Sequence, residues 1–415
     1  AIMKKSAEVI EKYREEIVHT LVMETGSSVM KANAEVDFAI ADINEFADIP
    51  KKMNYEVHSS IIPGKENRVY RLPVGVVGVI SPFNFPFYLS IRAIGPALAA
   101  GNGVVVKPDL QTFISGGLII AKVFEEAGLP KGLLNVVVAD IAEIGDAFVE
   151  HPIPKVISFT GSTAVGQHIG ELCGKHLKRA ALELGGNNVM IVLDDADINQ
   201  AASAAVFGKF LHQGQICMSL NRIIVHRNVY EDFVNVFKEK TAALKAGNPV
   251  NPEVFIGPLI NEKQVEKIKS WVYESIKQGA TCIHSGNISG TSVDPIILID
   301  VTNDMAVAQN EVFGPVAAIL PVENEKEAIR IANESNFGLS GSIFTGDINH
   351  GVEVALQIHT GMIHVNDQSV NCESNIPFGG EKSSGLGRYG GESSLEEFTT
   401  QRWVSVQKEP RPFPF

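Results

Sequence analysis

Cysteine is scarce in this sequence: four residues, at 173, 217, 282 and 372, in a chain of 415. They are too few and too scattered for a disulfide scaffold, and no CxxC or Cys/His cluster has the spacing of a metal site. Such usage suits a reducing, cytoplasmic compartment. Long apolar runs are missing too. Stretches such as Val74 to Ile80 fall far short of the roughly 18 residues a membrane span needs, and the charged start (Lys4, Lys5, Glu8) is not that of a signal peptide. Nor is positive charge in excess. With 35 Lys and Arg against 48 Asp and Glu, the net charge of −13 repels nucleic acid and anionic membranes, and no dense basic patch overrides it. What is present is the composition of a globular chain, 45% hydrophobic and 20% charged, long enough for two domains with sizeable cores. A small molecule is the expected partner. Because residue 1 leads directly into a helical pattern (Ile2, Val9, Ile10, Tyr13, Ile17), a segment upstream of it is expected.

From Val74 onward, short β-branched runs alternate with helix-length segments. Gly75 to Ile80, Gly103 to Lys107, Leu134 to Val138 and Val156 to Phe159 read as strands, at the spacing of βαβ units around a buried parallel sheet. Helices between them start after Pro86 and Pro108 and stop at Gly101 and Gly128. This half reads as a doubly wound α/β fold. A second alternation starts at Asn188, with strands near Val189 to Leu193, Arg222 to Val225, Pro295 to Ile299 and Val316 to Leu320, and helices near 197–211, 229–245 and 262–278. Tyr55 to Leu72, turning at Pro63-Gly64, reads as a hairpin. The tail Glu397 to Gln407 alternates like a strand and is expected to pair with a neighbouring subunit.

Four segments invite chemistry. Phe159-Thr-Gly-Ser-Thr-Ala-Val-Gly166 follows a strand and opens a helix, where bare amides and the helix dipole favour a pyrophosphate. It is not a Walker A loop, since Gln167 stands where that motif needs Lys, and it lacks the GxGxxG spacing. Cys217, in His212-Gln-Gly-Gln-Ile-Cys-Met-Ser219, lies between a helix and a strand, a position that suits a reactive thiol provided its surroundings favour the thiolate. Glu183, in Leu182-Glu-Leu-Gly-Gly-Asn187, ends an apolar strand, where burial raises a carboxyl towards the range of a general base. Asn84, in Ser81-Pro-Phe-Asn-Phe-Pro-Phe87, offers a polar amide to a developing oxyanion. Taken singly, each has an ordinary reading: a strand-to-helix turn, a small buried thiol, a solvated strand end, a satisfied turn.

Their order changes that. SPFNFPF, GNGVVVKP, FTGSTAVG, LELGGNN, GQICMS, EVFGPV and IPFGGEKSSGLGR together resemble the aldehyde dehydrogenase superfamily across essentially the whole chain. The resemblance implies a Rossmann-like cofactor domain (1–54 and 74–185), an α/β catalytic domain (186–392), and an oligomerisation hairpin and tail (55–73 and 393–415) that join a homodimer or homotetramer. It implies that Cys217 is the nucleophile, Glu183 the base for deacylation, and Asn84 with the Cys217 amide the oxyanion hole. Lys107 and Glu311 would hold the cofactor riboses, Gly161, Ser162 and Gly166 the phosphate loop, and Phe313 the nicotinamide side. Hydride would leave a thiohemiacetal, giving a thioester cleared by activated water.

Within the superfamily, His364-Val-Asn-Asp-Gln-Ser-Val, the GQICMS segment and Arg411-Pro-Phe-Pro-Phe look most like the benzaldehyde and vanillin dehydrogenase branch. There Phe85 and Phe378 would wall an aromatic substrate. Rival readings are an aliphatic aldehyde or semialdehyde, for which Arg92 would be the fixed cation, and a catalytically silent scaffold. Release to coenzyme A is disfavoured by Glu183. NAD and NADP both stay open: Leu110 stands where many NAD-preferring members have Glu, and Asp109 is a substitute carboxylate.

Overall fold

The computed structural model describes all 415 residues. Three helices come first: α1 (Ile2–Lys12), α2 (Arg14–Thr25) and α3 (Val29–Phe46). Ser28 caps α3 by accepting the Lys31 amide at 3.3 Å. Ala32, Val36, Ala39, Ile43 and Phe46 recur every three or four residues along it and are all buried. This stripe packs on α4 (Pro86–Ala99). A Cβ on Gly95 would stand 2.5 Å from the Phe46 ring, so the close approach of the two helices depends on that glycine.

The hairpin is present as β1 (Tyr55–His58) and β2 (Lys65–Pro73), turning at Gly64 with φ +73°. Next come β3 (Val76–Ile80), β4 (Gly103–Lys107), β5 (Leu134–Val136), β6 (Pro154–Thr160) and β7 (Arg179–Glu183), with α5 (Ile119–Glu126) and α6 (Thr163–Lys175) between them. These strands stand side by side as β7-β6-β3-β4-β5, all parallel. Val77, Val79, Val104, Val106, Val156 and Ile157 are buried, as expected of a sheet covered on both faces. The chain fills one side of β3 first and then crosses to the other. The carboxyl ends of β3 and β6 therefore flank a topological switch point, where such sheets open a ligand crevice.

The second sheet contains β8 (Asn188–Val192), β9 (Leu220–His226), β10 (Thr281–Ser285), β11 (Ile296–Ile299), β12 (Val316–Val322), β13 (Gly341–Phe344) and β14 (His364–Val365). Its order is β10-β11-β12-β9-β8-β13-β14, with β10 antiparallel to β11 and the other pairs parallel. Helices α7 (Ile198–Phe210), α8 (Tyr230–Ala242) and α9 (Glu262–Lys277) match the expected positions closely. β10, β13 and β14 were not anticipated in the sequence reading.

Two segments have strand partners within the chain that the sequence reading did not name. Gly385–Leu386 (β15), in the stretch assigned to the second domain, pairs antiparallel with β7 and sets Gly385 opposite Glu183. The tail strand β16 (Thr399–Gln407) pairs with β2 of its own chain, from Lys65 opposite Gln407 to Pro73 opposite Thr399. β2 has β1 on only one side, and its other edge satisfies the tail's backbone locally. No helix is long and apolar enough to cross a membrane.

Candidate active site

The three residues singled out for chemistry come from three different connections. Asn84 lies after β3, Glu183 ends β7, and Cys217 lies in the loop between α7 and β9. Their convergence is built by backbone that comes unusually close. Gly186 must lack a side chain, because a Cβ there would stand 2.2 Å from the Cys217 carbonyl oxygen. At Gly185 a Cβ would stand 2.5 Å from Glu311 Oε2. The adjacent Asn188 donates through Nδ2 to the carbonyls of Cys217 (2.7 Å) and Ser219 (2.8 Å).

The loop carrying Cys217 is strained. His212, Gln213 and Gly214 adopt φ of +51°, +58° and +71° in succession, a conformation two side-chain-bearing residues rarely take. Distant bonds hold it there: Gln213 Nε2 donates to Gly26 and Pro258 carbonyls at 2.9 and 2.8 Å, and Gln215 Oε1 accepts from the Ile260 amide at 3.0 Å. Asn84 Nδ2 donates to the Gln215 carbonyl at 3.0 Å. One Asn84 amide proton is thereby used, which orients the other.

Two cavities meet here, and both are lined by Asn84 and Cys217. The first, of about 250 Å3, is walled by Phe85, Phe378, Tyr88, Phe38 and Leu211. The second, of about 550 Å3, is lined by Lys107, Asp109, Gly161, Ser162, Glu183, Glu311 and Phe313. It lies at the switch point, with the first turn of α6 at its floor, so its residues fit a dinucleotide. Gly166 does not line it. A Cβ at Gly166 would stand 2.1 Å from Leu184 Cδ2, so this glycine lets α6 settle against the strand end. Leu110 is absent from the lining and 40% exposed, whereas Asp109 is on the wall.

Burial governs the ionisation of the site. Glu183 is 2% exposed and neither carboxylate oxygen has a hydrogen-bond partner. Desolvation pushes its carboxyl up to about 8, against the pull of Arg92 and Arg388. Burial also pushes the Cys217 thiol up to about 12, despite the opposing charge of Arg92 and a bond from the Met218 amide. The surroundings alone therefore do not produce the expected thiolate, and the thiol must lose its proton to a base. Glu311 is half-buried, accepts the Gly186 amide at 2.9 Å, and is pushed up to about 7 by desolvation. Phe313 stands at φ +50°, its carbonyl accepting from Gln264 Nε2 at 2.9 Å, and its ring meets Phe83 edge-on at 5.9 Å.

Arg92 is on the aldehyde-side wall. Its buried guanidinium lies 4.2 Å from the Phe378 ring centroid and 5.0 Å from that of Tyr389, and Nη1 has no partner. Sequence reasoning missed Lys31, Glu35 and Cys372. Lys31 and Cys372 line this cavity, and the Cys372 thiol is 2.9 Å from the Tyr88 hydroxyl. The one available signal was Lys31 and Glu35 themselves, an i,i+4 charged pair beside the apolar stripe of α3.

The aldehyde dehydrogenase family profile matches residues 1–404. The chain is 53% identical over 414 residues to a benzaldehyde dehydrogenase of Bacillus subtilis strain 168, covering 100% of this chain and 85% of the relative. It is 48% identical over 410 residues to a vanillin dehydrogenase of Corynebacterium glutamicum, covering 98% and 85%. The crystal structure of a salicylaldehyde dehydrogenase from Pseudomonas putida G7 complexed with salicylaldehyde superposes with a TM-score of 0.97 at 37% identity, covering 100% of this chain and 86% of that one. This chain belongs to the aldehyde dehydrogenase family, enzymes that oxidise aldehydes with NAD or NADP.

Proposed function

We propose that this enzyme oxidises aromatic aldehydes to carboxylic acids, with Cys217 as nucleophile. The observation that carries this is the apolar cavity walled by Phe85 and Phe378, which opens onto the thiol opposite the dinucleotide-shaped cavity. Flat rings suit a flat substrate, and the relatives named for benzaldehyde, vanillin and salicylaldehyde support the same reading.

Cys217 sulfur bonds to the aldehyde carbon, and its proton goes to a base in the site. The carbonyl oxygen gains charge and receives the free N–H of Asn84 and the Cys217 amide. Loss of the aldehyde hydrogen as hydride turns the thiohemiacetal into the thioester; the nicotinamide nucleotide would supply the acceptor for that hydride, and Lys107, Ser162, Glu311 and Phe313 would hold it. Glu183 then takes a proton from water, whose oxygen attacks the thioester and releases the acid and the free thiol. Residues 1–54 and 74–185 form the nucleotide-binding domain and also wall the aldehyde cavity through Lys31, Phe38, Phe85, Tyr88 and Arg92, while 186–392 carry the thiol. The sheet of 55–73 and 393–415 leaves one edge of β16 open for joining subunits in a dimer or tetramer. Four unpaired cysteines suit a reducing cytoplasm.

A second reading has a specific observation in its favour. The unpartnered Arg92 Nη1 suits a substrate bearing an acceptor or carboxylate, as in a semialdehyde. Steady-state oxidation of benzaldehyde, vanillin, succinic semialdehyde and acetaldehyde with each nucleotide separates the two. Benzaldehyde or vanillin should have the highest kcat/KM. A preference for succinic semialdehyde would reverse the assignment. Because Glu183 must be ionised to act as base in deacylation, the step after hydride transfer, kcat should rise with pH through about 8. A profile flat from pH 6 to 9 would remove Glu183 from that role.

A further inference from the structure

The buried pair Lys31–Glu35 belongs to neither the nucleophile, the base nor the nucleotide cavity, yet it sits against the one loop that carries Asn84. Both side chains lie on α3 with at most 1% exposure, and they form an ion pair four residues apart. Lys31 Nζ also donates to the Asn84 carbonyl at 2.7 Å and lies 3.8 Å from the centroid of the Phe85 ring. Glu35 Oε1 accepts the amides of Phe87 (2.9 Å) and Tyr88 (3.2 Å). Those are first-turn amides of α4, which starts at Pro86 and has no side-chain cap of its own at Phe85.

We infer that Lys31 and Glu35 form a clamp that positions Asn84 as oxyanion donor. An ammonium has three protons, and here each has a place: the Glu35 carboxylate, the Asn84 carbonyl and the face of Phe85. None is left for a substrate, although Lys31 lines the aldehyde cavity, so Lys31 is a positioning residue. The carboxylate seats the start of α4, and the ammonium seats the residue just before it. From the opposite side, Gln215 fixes the Asn84 side chain through Nδ2. Asn84 is thus held by its backbone from α3 and by its amide from the Cys217 loop, which sets the remaining N–H relative to the sulfur. Misplacement of such a donor by about 1 Å costs on the order of a hundredfold in rate.

This inference rests on the reading of Asn84 as oxyanion donor, and a double-mutant cycle tests the two separately. Lys31→Met, Asn84→Ala and the double variant are mixed with benzaldehyde and NAD, and the burst rate of NADH formation is measured alongside the affinity for NAD. Lys31→Met should slow the burst about tenfold or more while leaving NAD affinity unchanged. In the Asn84→Ala background it should slow the burst no further, because the donor it positions is already gone. A burst within threefold of the parent overturns the clamp, and so do fold-losses that multiply in the double variant, the behaviour of a purely structural pair. If Asn84→Ala itself leaves the burst unchanged, the oxyanion reading fails and the clamp with it. Should Lys31→Met not fold, Glu35→Gln, which keeps an acceptor for the α4 amides but removes the charge, runs through the same cycle with a smaller expected loss, about fivefold, and the same non-additivity.

Discussion

On one side of Cys217 the wall is made of side chains: Phe85, Phe378 and Tyr88, with the Arg92 guanidinium stacked among the rings. On the other side the strand-end glycines and the first turn of α6 bring bare backbone to the wall beside Lys107 and Glu311. Under the proposed function, the difference is how one thiol would serve two ligands of unlike chemistry. Apolar substrate surface is recognised by ring area and shape, which side chains supply. A pyrophosphate is recognised by fixed dipoles, which backbone supplies best when glycine lets it approach. Asn84 and Cys217 line both cavities, so the reacting atoms lie where the two kinds of wall meet.

The harshest way to break this arrangement is to remove the shared group. Cys217→Ala should reduce aldehyde oxidation by on the order of 10^4-fold or more while NAD affinity, followed by calorimetry, stays near that of the parent. Turnover within tenfold of the parent would mean that the thiol is not the nucleophile. Phe378→Ala attacks only the ring-built side. It should lower kcat/KM for benzaldehyde by about 10- to 100-fold relative to acetaldehyde, since a small aldehyde loses little wall, and the KM for NAD should not move. An equal loss for both aldehydes would show that Phe378 acts through Arg92, which it stacks against, and not through the substrate.

The gentlest change sharpens the other side. Asp109 is on the wall of the nucleotide cavity and Leu110 is not. A carboxylate there repels a 2′-phosphate, so Asp109→Asn should raise the NADP-to-NAD ratio of kcat/KM about three- to tenfold. Leu110→Glu, pointing away, should change that ratio by less than about twofold. If the Leu110 variant moves it more than the Asp109 variant, the two positions have been assigned in the wrong order.

Much of this was legible along the chain. The parallel strands announced themselves because a sheet covered on both faces demands nearly unbroken Val and Ile, as in Gly103–Lys107. The motifs around Asn84, Glu183 and Cys217 were recognisable because each is local: a strand end, a tight turn, a glycine pair. Glycine itself was ambiguous. Gly161 and Gly166 look alike in sequence, but only the first lines the cavity, while the second makes room for Leu184.

The sequence by itself determined the α/β alternation and the family, and it singled out the proposed thiol and its two polar companions, because these depend on residue type and short-range spacing. Only the tertiary structure decided the rest. That Glu183 has no hydrogen-bond partner and is pushed up to about 8 depends on what surrounds it in space, including Arg92 and Arg388 far away in the chain. That β16 pairs with β2, setting Trp403 opposite Val69, and that Lys31 on the third helix reaches the carbonyl of Asn84, are contacts across 334 and 53 residues, so the tail strand and the clamp alike lie outside any local pattern. Desolvation and long-range pairing are properties of the packed neighbourhood, and a neighbourhood exists only once the chain has folded.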